Sequence, residues 1–182
     1  MLNQNTLQIG NALPSFELKG TDGKIHSTED ETEKELILVI FSCNHCPYVQ
    51  AYENRIMKIQ SDFEQRLKLF VINSNDDTQY PDDSFDNMKL RAKEKKINFP
   101  YLRDEDQTTA KLFGATHTPE IFLFNNERRL VFHGKIDDNW QDETKVKNQY
   151  LRNAISELLS GNEISVPETF TIGCTIKWKP NA

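Results

Sequence analysis

The chain has 182 residues, of which 37% are hydrophobic and 10% aromatic, values typical of one folded domain with a hydrophobic core. It carries 28 acidic and 22 basic residues, and the net charge of −6 argues against nucleic acid or an anionic membrane as the main partner. The N-terminus lacks the basic and apolar segments of a secretory signal, and no apolar run approaches the roughly 18 residues of a membrane span. We therefore expect a single cytoplasmic domain over residues 1–182.

The predicted elements begin with an N-terminal β-hairpin within residues 10–28. Phe16 and Leu18 alternate with polar residues, as in a half-buried strand, and a turn signal with Gly23 follows them. Residues 36–41 are then apolar at every position. An unbroken apolar run rich in β-branched residues predicts a central strand that is covered on both faces.

A helical period follows this strand, because apolar residues recur at spacings of four, three and four from Tyr52 to Phe63. The later pattern predicts a strand at 67–72, a helix after residues 82–84, an extended piece at 99–102, a short helix at 108–113, paired strands at 120–124 and 130–133, and a last helix that ends near residue 161. The tail, residues 162–182, is predicted to pack as extended structure. Strand–helix–strand units imply parallel pairing and the closing hairpin adds antiparallel strands, so we expect an α/β fold with a central mixed sheet flanked by helices.

Two cysteines, Cys43 and Cys46, stand where the central strand gives way to the helix. We expect Cys46 to lie one turn into the helix, so that both sulfurs meet on its first turn. The free N–H groups and the dipole of a helix N-terminus favour a thiolate, the nucleophile of thiol–disulfide exchange. Cys43, predicted to lie nearer the helix end, should attack and Cys46 should resolve. His45 would either place a positive charge beside the thiolate or act as an exposed spacer.

A Thr-Pro pair stands before the predicted strand that begins near residue 120. The bond before Pro119 could be cis and would then expose the backbone of Thr118 beside the dithiol, or Pro119 could simply start the strand. In the first case Pro119 would shape a docking groove, and Thr118 would offer a strand-like edge to a partner polypeptide.

These motifs resemble the thioredoxin superfamily and, within it, the redoxin group around alkyl hydroperoxide reductase and thiol-specific antioxidant proteins. The residues that carry the resemblance are GNALPSF (10–16), FSCNHCP (41–47), FGATHTPE (113–120) and FHGKIDD (132–138). The tail segment IGCTIKW (172–178) is similar to that of a peroxiredoxin-like subgroup with a Cys-x-x-Cys motif. The resemblance covers nearly the whole chain.

The resemblance implies a thioredoxin-like fold, a cis bond before Pro119 and thiol–disulfide oxidoreductase or antioxidant activity. Such an enzyme needs no organic cofactor. Its partners would be protein or small-molecule disulfides and dithiols, together with an unidentified reductant.

The chain departs from the peroxiredoxin pattern in one respect. A peroxidatic cysteine of that family is preceded by Pro at minus seven and by Thr or Ser at minus three. Counted from Cys43, those positions hold Leu36 and Ile40. A thiol peroxidase with an atypical site therefore stays an alternative to the oxidoreductase.

The chain also departs from thioredoxin itself, which has Trp before its first cysteine and a buried Asp six positions before it. Those positions here hold Ser42 and Ile37, so another group must accept the proton. Glu120, directly after Pro119, is the predicted acceptor, and the alternative is an exposed or strand-edge carboxylate.

Cys174 lies in the tail, far in sequence from the dithiol. It could be a second resolving cysteine, a third metal ligand or a small buried hydrophobe, the usual role of a free cysteine. Metal binding or delivery is the other functional alternative, because Cys43 and Cys46 with His117 or His133 would suit zinc or copper. A non-catalytic binding module is less favoured, since such modules often lose one cysteine and both are present here.

Overall fold

The computed structural model describes residues 6–29 and 33–180. Its strands are β1 (Glu17–Gly20), β2 (Ile25–Ser27), β3 (Leu36–Ser42), β4 (Leu67–Asn73), β5 (Tyr101–Arg103), β6 (His117–Thr118), β7 (Glu120–Phe124), β8 (Leu130–Gly134) and β9 (Cys174–Thr175). Its helices are α1 (Pro47–Phe63), α2 (Phe85–Glu94), α3 (Thr108–Phe113) and α4 (Tyr150–Leu159), with 3-10 turns at Pro81–Asp83 and Glu143–Lys145. None of the helices in these ranges is long and apolar enough to span a membrane.

Seven strands form one sheet in the order β2-β1-β5-β4-β3-β7-β8, and β6 with β9 forms a separate two-stranded sheet. β4 pairs in parallel with β3 and β5, whereas β7 pairs antiparallel with β3 and β8. The predicted mixed sheet with flanking helices is therefore confirmed. The N-terminal hairpin is confirmed as well, since β1 and β2 are antiparallel with Leu18 opposite His26.

Strand β3 is the centre of the molecule and is buried along its whole length, as its apolar sequence predicts. Its two faces belong to two hydrophobic clusters. Leu38 and Ile40 share one cluster with Ile56 of α1. Phe41 belongs to the other, where its ring meets Phe113 edge-to-face with centroids 5.3 Å apart. Burying each such side chain is worth roughly 1.5–3 kcal/mol, so the end of β3 is a fixed platform for the loop that follows.

The tail returns to the end of the sheet where β3 finishes. β9 pairs antiparallel with β6, so that Thr175 lies opposite His117 and Cys174 opposite Thr118. Ile176, the next residue, is buried in the cluster around Phe41. The expectation that the tail packs as extended structure is confirmed, and its strand lies beside the loop between β3 and α1.

Candidate functional site

Helix α1 begins at Pro47, and Cys46 is its N-cap residue. A proline has a fixed φ and no N–H, so it suits the first helical position and starts the helix there. The prediction that Cys46 lies one turn inside the helix is therefore wrong. Cys46 stands at the positive end of the helix dipole, and Cys43 lies in the loop before it, so the predicted order of the two sulfurs along the helix is reversed.

Cys43 follows β3 directly and is 1% exposed. Its Sγ lies 3.4 Å from the hydroxyl oxygen of Thr118. The hydrogen bond that its thiol gives to Cys46 raises the pKa of Cys43, and burial and the negative charge of Asp83 raise it further. Cys43 is thus held as a thiol that donates to its neighbour.

Cys46 is the central sulfur of the site and is fully buried. Its Sγ lies 2.8 Å from Sγ of Cys174 and 3.3 Å from the carbonyl oxygen of Thr118, to which the thiol form donates. The hydrogen bond from Cys43 outweighs burial and, with those from Cys174 and the Val49 N–H, lowers the pKa of Cys46 to about 4. At neutral pH the three thiols therefore share one negative charge, centred on Cys46.

Cys174 reaches this cluster from the tail and is partly exposed. Burial and the hydrogen bond that it gives to Cys46 raise the pKa of Cys174 to about 11. The structure thus brings the third cysteine into contact with the predicted dithiol. The alternative of a small buried hydrophobe does not describe a thiol that contacts both solvent and another sulfur.

The bond between Thr118 and Pro119 is cis, as expected from the resemblance. The edge beside it is not open, however, because Thr118 already pairs with Cys174 of β9. A Cβ added to Gly173 would lie 2.2 Å from the carbonyl oxygen of Thr118, so only a glycine fits this approach. The expectation that the Thr118 backbone offers a free edge to a partner is therefore wrong, since the chain's own tail occupies that edge.

His45 is bound to a buried carboxylate, so it is not an exposed spacer. Its Nδ1 lies 2.6 Å from a carboxylate oxygen of Asp83, and its ring stacks on Tyr80 with centroids 5.6 Å apart. Asp83 is fully buried and also accepts hydrogen bonds from the Asn44 N–H (2.6 Å) and the Asn75 side-chain amide (2.7 Å). The buried Asp83 carboxylate therefore holds the loop between the two cysteines in place through its bonds to Asn44 and His45.

Asp83 is the site residue that the sequence does not reveal. It lies just before α2, whose N-cap is the next residue, Ser84, which accepts the Asn87 N–H. No local pattern distinguishes Asp83 from Asp82. The loop between Cys43 and Cys46 lies close to Asp83 because β3 pairs in parallel with β4, and that pairing joins residues far apart in the sequence.

Glu120 is 2% exposed, so the alternative of an exposed carboxylate is wrong. One of its oxygens accepts the N–H groups of Thr116 (2.7 Å) and His117 (2.9 Å), and the other lies 2.9 Å from Nε2 of His133. Among the described residues none of its hydrogen bonds goes to a cysteine. Glu120 holds the loop before Pro119 in place. Its predicted role as proton acceptor is not supported by a direct contact with a cysteine.

The metal ligands proposed from the sequence are not brought together as one set. His133 is paired with Glu120, and Nδ1 of His117 lies 2.8 Å from the Thr116 hydroxyl oxygen. A different group, Cys43, His45 and Asp83, has ligand atoms within 4.8 Å of one another. These residues offer a thiol, an imidazole and a carboxylate, a donor set that zinc accepts.

Comparisons with known proteins show the family and the fold of the chain. Residues 9–133 match the AhpC/TSA family. A 1-Cys peroxiredoxin of Dictyostelium discoideum is 26% identical over 138 residues, which cover 69% of this chain and 55%, about half, of that protein. The crystal structure of an uncharacterized conserved protein from Geobacillus kaustophilus is 35% identical, covers 98% of this chain and 96% of its own, and superposes with a TM-score of 0.91.

The fold itself is shared more widely. The thioredoxin domain of a thiol-disulfide oxidoreductase from Bacteroides vulgatus is 16% identical, with a TM-score of 0.60, and the match covers 70% of this chain and 89% of that one. At this identity the similarity shows the fold alone. The prediction of a thioredoxin-like fold is confirmed.

Proposed function

The chain belongs to the AhpC/TSA family, and from this premise we propose that it is a thiol–disulfide oxidoreductase whose reactive thiolate is Cys46. One observation carries the proposal. Cys46 is the N-cap of α1 and accepts hydrogen bonds from the thiols on either side of it, which lower its pKa to about 4. The roles expected from the sequence are thereby exchanged, because the sulfur at the helix terminus is Cys46 rather than Cys43.

In the proposed reaction the Cys46 thiolate attacks one sulfur of a disulfide, and the other sulfur leaves as a thiolate. Cys43 then attacks Sγ of Cys46 and passes its proton to the sulfur that it displaces. The products are a Cys43–Cys46 disulfide, one thiol and one thiolate that takes its proton from water, so two electrons and one proton have moved from the protein to the substrate. The reverse sequence oxidises a dithiol. The substrates are disulfides and dithiols, and the reaction requires no organic cofactor.

The low pKa of Cys46 gives it two advantages in this cycle. It is fully ionised at neutral pH, and it is the better leaving group of the pair when the internal disulfide is reopened, since a thiol of lower pKa leaves faster. Cys43 has the opposite character, because its hydrogen bond to Cys46, its burial and the negative charge of Asp83 raise its pKa and keep it protonated until it attacks.

Equilibration of the purified protein with glutathione buffers tests this proposal. We expect the wild type and Cys174→Ser to form one Cys43–Cys46 disulfide per chain, identified by peptide mass mapping. Cys46→Ser should form no internal disulfide, because its loss removes the sulfur shared by both pairs. A Cys43–Cys174 disulfide that forms readily in Cys46→Ser would overturn the central role of Cys46.

Thiol peroxidase activity is the second candidate, and one contact favours it. Counted from Cys46, the position at minus three is Cys43, whose thiol donates to the thiolate as the Thr or Ser hydroxyl of the peroxiredoxin pattern would. The position at minus seven is Val39 rather than Pro. Attack on a peroxide would give a sulfenic acid at Cys46 and an alcohol or water, and a neighbouring thiol would then close a disulfide with loss of water. Trapping of a sulfenic acid at Cys46 after treatment with peroxide would support this activity.

Metal binding is favoured by a single arrangement, the Cys43, His45 and Asp83 group. A resident ion there would compete with the exchange reaction, since it would hold Cys43 as a thiolate ligand. Metal analysis of the purified protein separates the two functions. Stoichiometric zinc or copper, with no disulfide formed on mild oxidation, would replace the redox proposal.

A further inference from the structure

The tail brings Cys174 against the buried sulfur of Cys46, and Cys174 is the one thiol of the three that lies at the surface. Cys43 and Cys46 are 1% and 0% exposed, whereas Cys174 is partly exposed. An external sulfur can therefore touch Cys174 while the described structure stays as it is. It cannot reach Cys46 unless the tail moves.

The tail is anchored on both sides of Cys174. Before it, Gly173 lies directly on the Thr118 carbonyl group. After it, the Ile176 N–H donates to the Thr116 carbonyl (2.9 Å), and the Gln107 side chain binds both the Lys177 carbonyl (2.9 Å) and the Lys179 N–H (2.9 Å). Such a set of contacts holds β9 on the edge of β6, the place where an extended peptide substrate would otherwise add a strand.

We propose that Cys174 is the entry port of the site, the sulfur with which external thiols and disulfides exchange before electrons pass to Cys46. This inference rests on the proposed function, since it names the route by which the Cys46 thiolate meets its substrate. The substrates would be small thiols and disulfides, or cysteines exposed on a partner's surface, and not extended peptides that pair with β6.

The relay balances at each step. Cys174 attacks an external disulfide RS–SR, which gives a mixed disulfide on Cys174 and RSH. Cys46 then attacks Sγ of Cys174 as a thiolate, RS⁻ leaves and takes a proton from water, and a Cys46–Cys174 disulfide forms. Cys43 attacks Cys46 in turn, so that the Cys43–Cys46 disulfide forms and Cys174 recovers its proton. In the reverse direction an external thiol attacks Sγ of Cys174, and Cys46, with its low pKa, is the leaving group.

The distances support the second step. Sγ of Cys46 and Sγ of Cys174 are 2.8 Å apart as free thiols, and a disulfide needs about 2.05 Å. The bond can therefore form with a small adjustment of the tail. Thr118 stands between β9 and the loop of Cys43, so the same residue positions both ends of the relay.

The test uses the full chain with Cys43→Ser, which leaves one disulfide to form. Oxidation with diamide should give Cys46–Cys174. A short pulse of glutathione, followed by acid quenching and blocking with N-ethylmaleimide, should place glutathione on Cys174 and maleimide on Cys46, by about tenfold or more over the reverse pattern. Glutathione found mainly on Cys46, or failure of the Cys46–Cys174 disulfide to form, would overturn the proposal.

A second variant separates access from chemistry. Gly173→Val in the same background would force the tail away from the Thr118 carbonyl, because a Cβ at Gly173 lies 2.2 Å from that oxygen. The preference for Cys174 should then fall to within about threefold, as both sulfurs become accessible. Phe170→Ala is the matched control, since Phe170 is 85% exposed on the same tail, and it should leave the preference unchanged.

The two proposals fail in different ways. If oxidised Cys174→Ser is reduced by glutathione as fast as the wild type, the port is wrong but the Cys43–Cys46 reaction stands. Reduction about tenfold or more slower, because the remaining disulfide is buried, supports the port. If Cys46→Ser keeps an internal disulfide, the proposed function itself falls.

Discussion

Cys43 and Cys174 contact the same sulfur from two sides, yet they are held by very different surroundings. Cys43 lies at the end of β3 with its Sγ within 4.8 Å of a carboxylate oxygen of Asp83, and both residues are nearly inaccessible to solvent. Cys174 lies in a two-residue strand at the surface, which a few backbone hydrogen bonds hold in place. The surroundings of Cys43 form a rigid, charged side of the site, and the short strand that carries Cys174 forms a partly exposed surface side.

This difference separates two tasks that a simple dithiol must combine. The rigid side keeps a protonated donor next to the thiolate, because the hydrogen bond to Cys46, burial and the charge of Asp83 together disfavour a second negative charge at Cys43. The surface side presents a sulfur that solvent-borne partners can reach. We infer that the chain stabilises its thiolate with one neighbour and exchanges with the outside through the other.

Removal of the shared sulfur breaks both sides at once and should have the largest effect. Cys46→Ser should lower the rate at which glutathione disulfide converts the reduced protein to a form with an internal disulfide by about a thousandfold or more, because neither internal disulfide can form. Cys43→Ser and Cys174→Ser should each lose less, since one pair survives in each. Equal rates for Cys46→Ser and the wild type would contradict the account.

Replacement of the buried Asp83 carboxylate, which holds the loop between Cys43 and Cys46, should lower the free energy of unfolding. Asp83→Asn replaces an oxygen that accepts hydrogen bonds with an amide that donates, and we expect a loss of about 2–3 kcal/mol in the free energy of unfolding. It should also lower the pKa of Cys43, because the negative charge that raises it is gone. Urea denaturation of the reduced protein measures the first effect.

Asp82→Asn is the matched control for this variant, because its side chain is exposed and lies next in sequence. It should change the free energy of unfolding by less than about 0.5 kcal/mol. Equal losses for the two substitutions would show that Asp83 has no special role beneath the loop.

Weakening of the contacts that hold the tail near Cys174 should have the smallest effect on stability, but it should make Cys46 more accessible to reagents. Gln107 has a positive φ of 62°, which Asn tolerates, so Gln107→Asn keeps the backbone but shortens the side chain that binds the tail. We expect alkylation of Cys46 by iodoacetamide to rise about threefold to tenfold, with a loss of about 1 kcal/mol in stability.

Lys179→Ala is the control for the tail, because it removes the bonds of the Lys179 ammonium to the carboxylate and the carbonyl oxygen of Glu105 but keeps the N–H that binds Gln107. Its alkylation rate should match that of the wild type. If Gln107→Asn also matches the wild type, the side chain of Gln107 does not hold the tail closed.

The features that local sequence could predict are those set by short-range chemistry. The unbroken apolar run of β3, the helical period of α1 and the turn of the N-terminal hairpin all depend on neighbouring residues, and all are present. The start of α1 was also predictable from the sequence, because Pro47 suits the first helical position. The spacing of the two cysteines favoured an earlier start, which the structure does not have.

The rest of the site depends on contacts between residues far apart in the chain. Cys174 meets Cys46 across 128 positions, and Asp83 meets the Asn44 N–H across 39. No local pattern encodes either contact, since each requires the parallel crossover from β3 to β4 or the return of the tail. The same reason explains why the edge of Thr118 was expected to be free.

The most direct test of the central claim is a titration of thiolate absorbance in the ultraviolet, carried out on reduced protein. The account predicts that one thiolate per chain appears as the pH rises through about 4. This transition should vanish in Cys46→Ser, and it should move to higher pH in Cys43→Ser and Cys174→Ser, which each weaken one hydrogen bond to the thiolate. A transition near this pH that persists in Cys46→Ser and disappears in Cys43→Ser would show that the thiolate resides on Cys43, and would contradict the account.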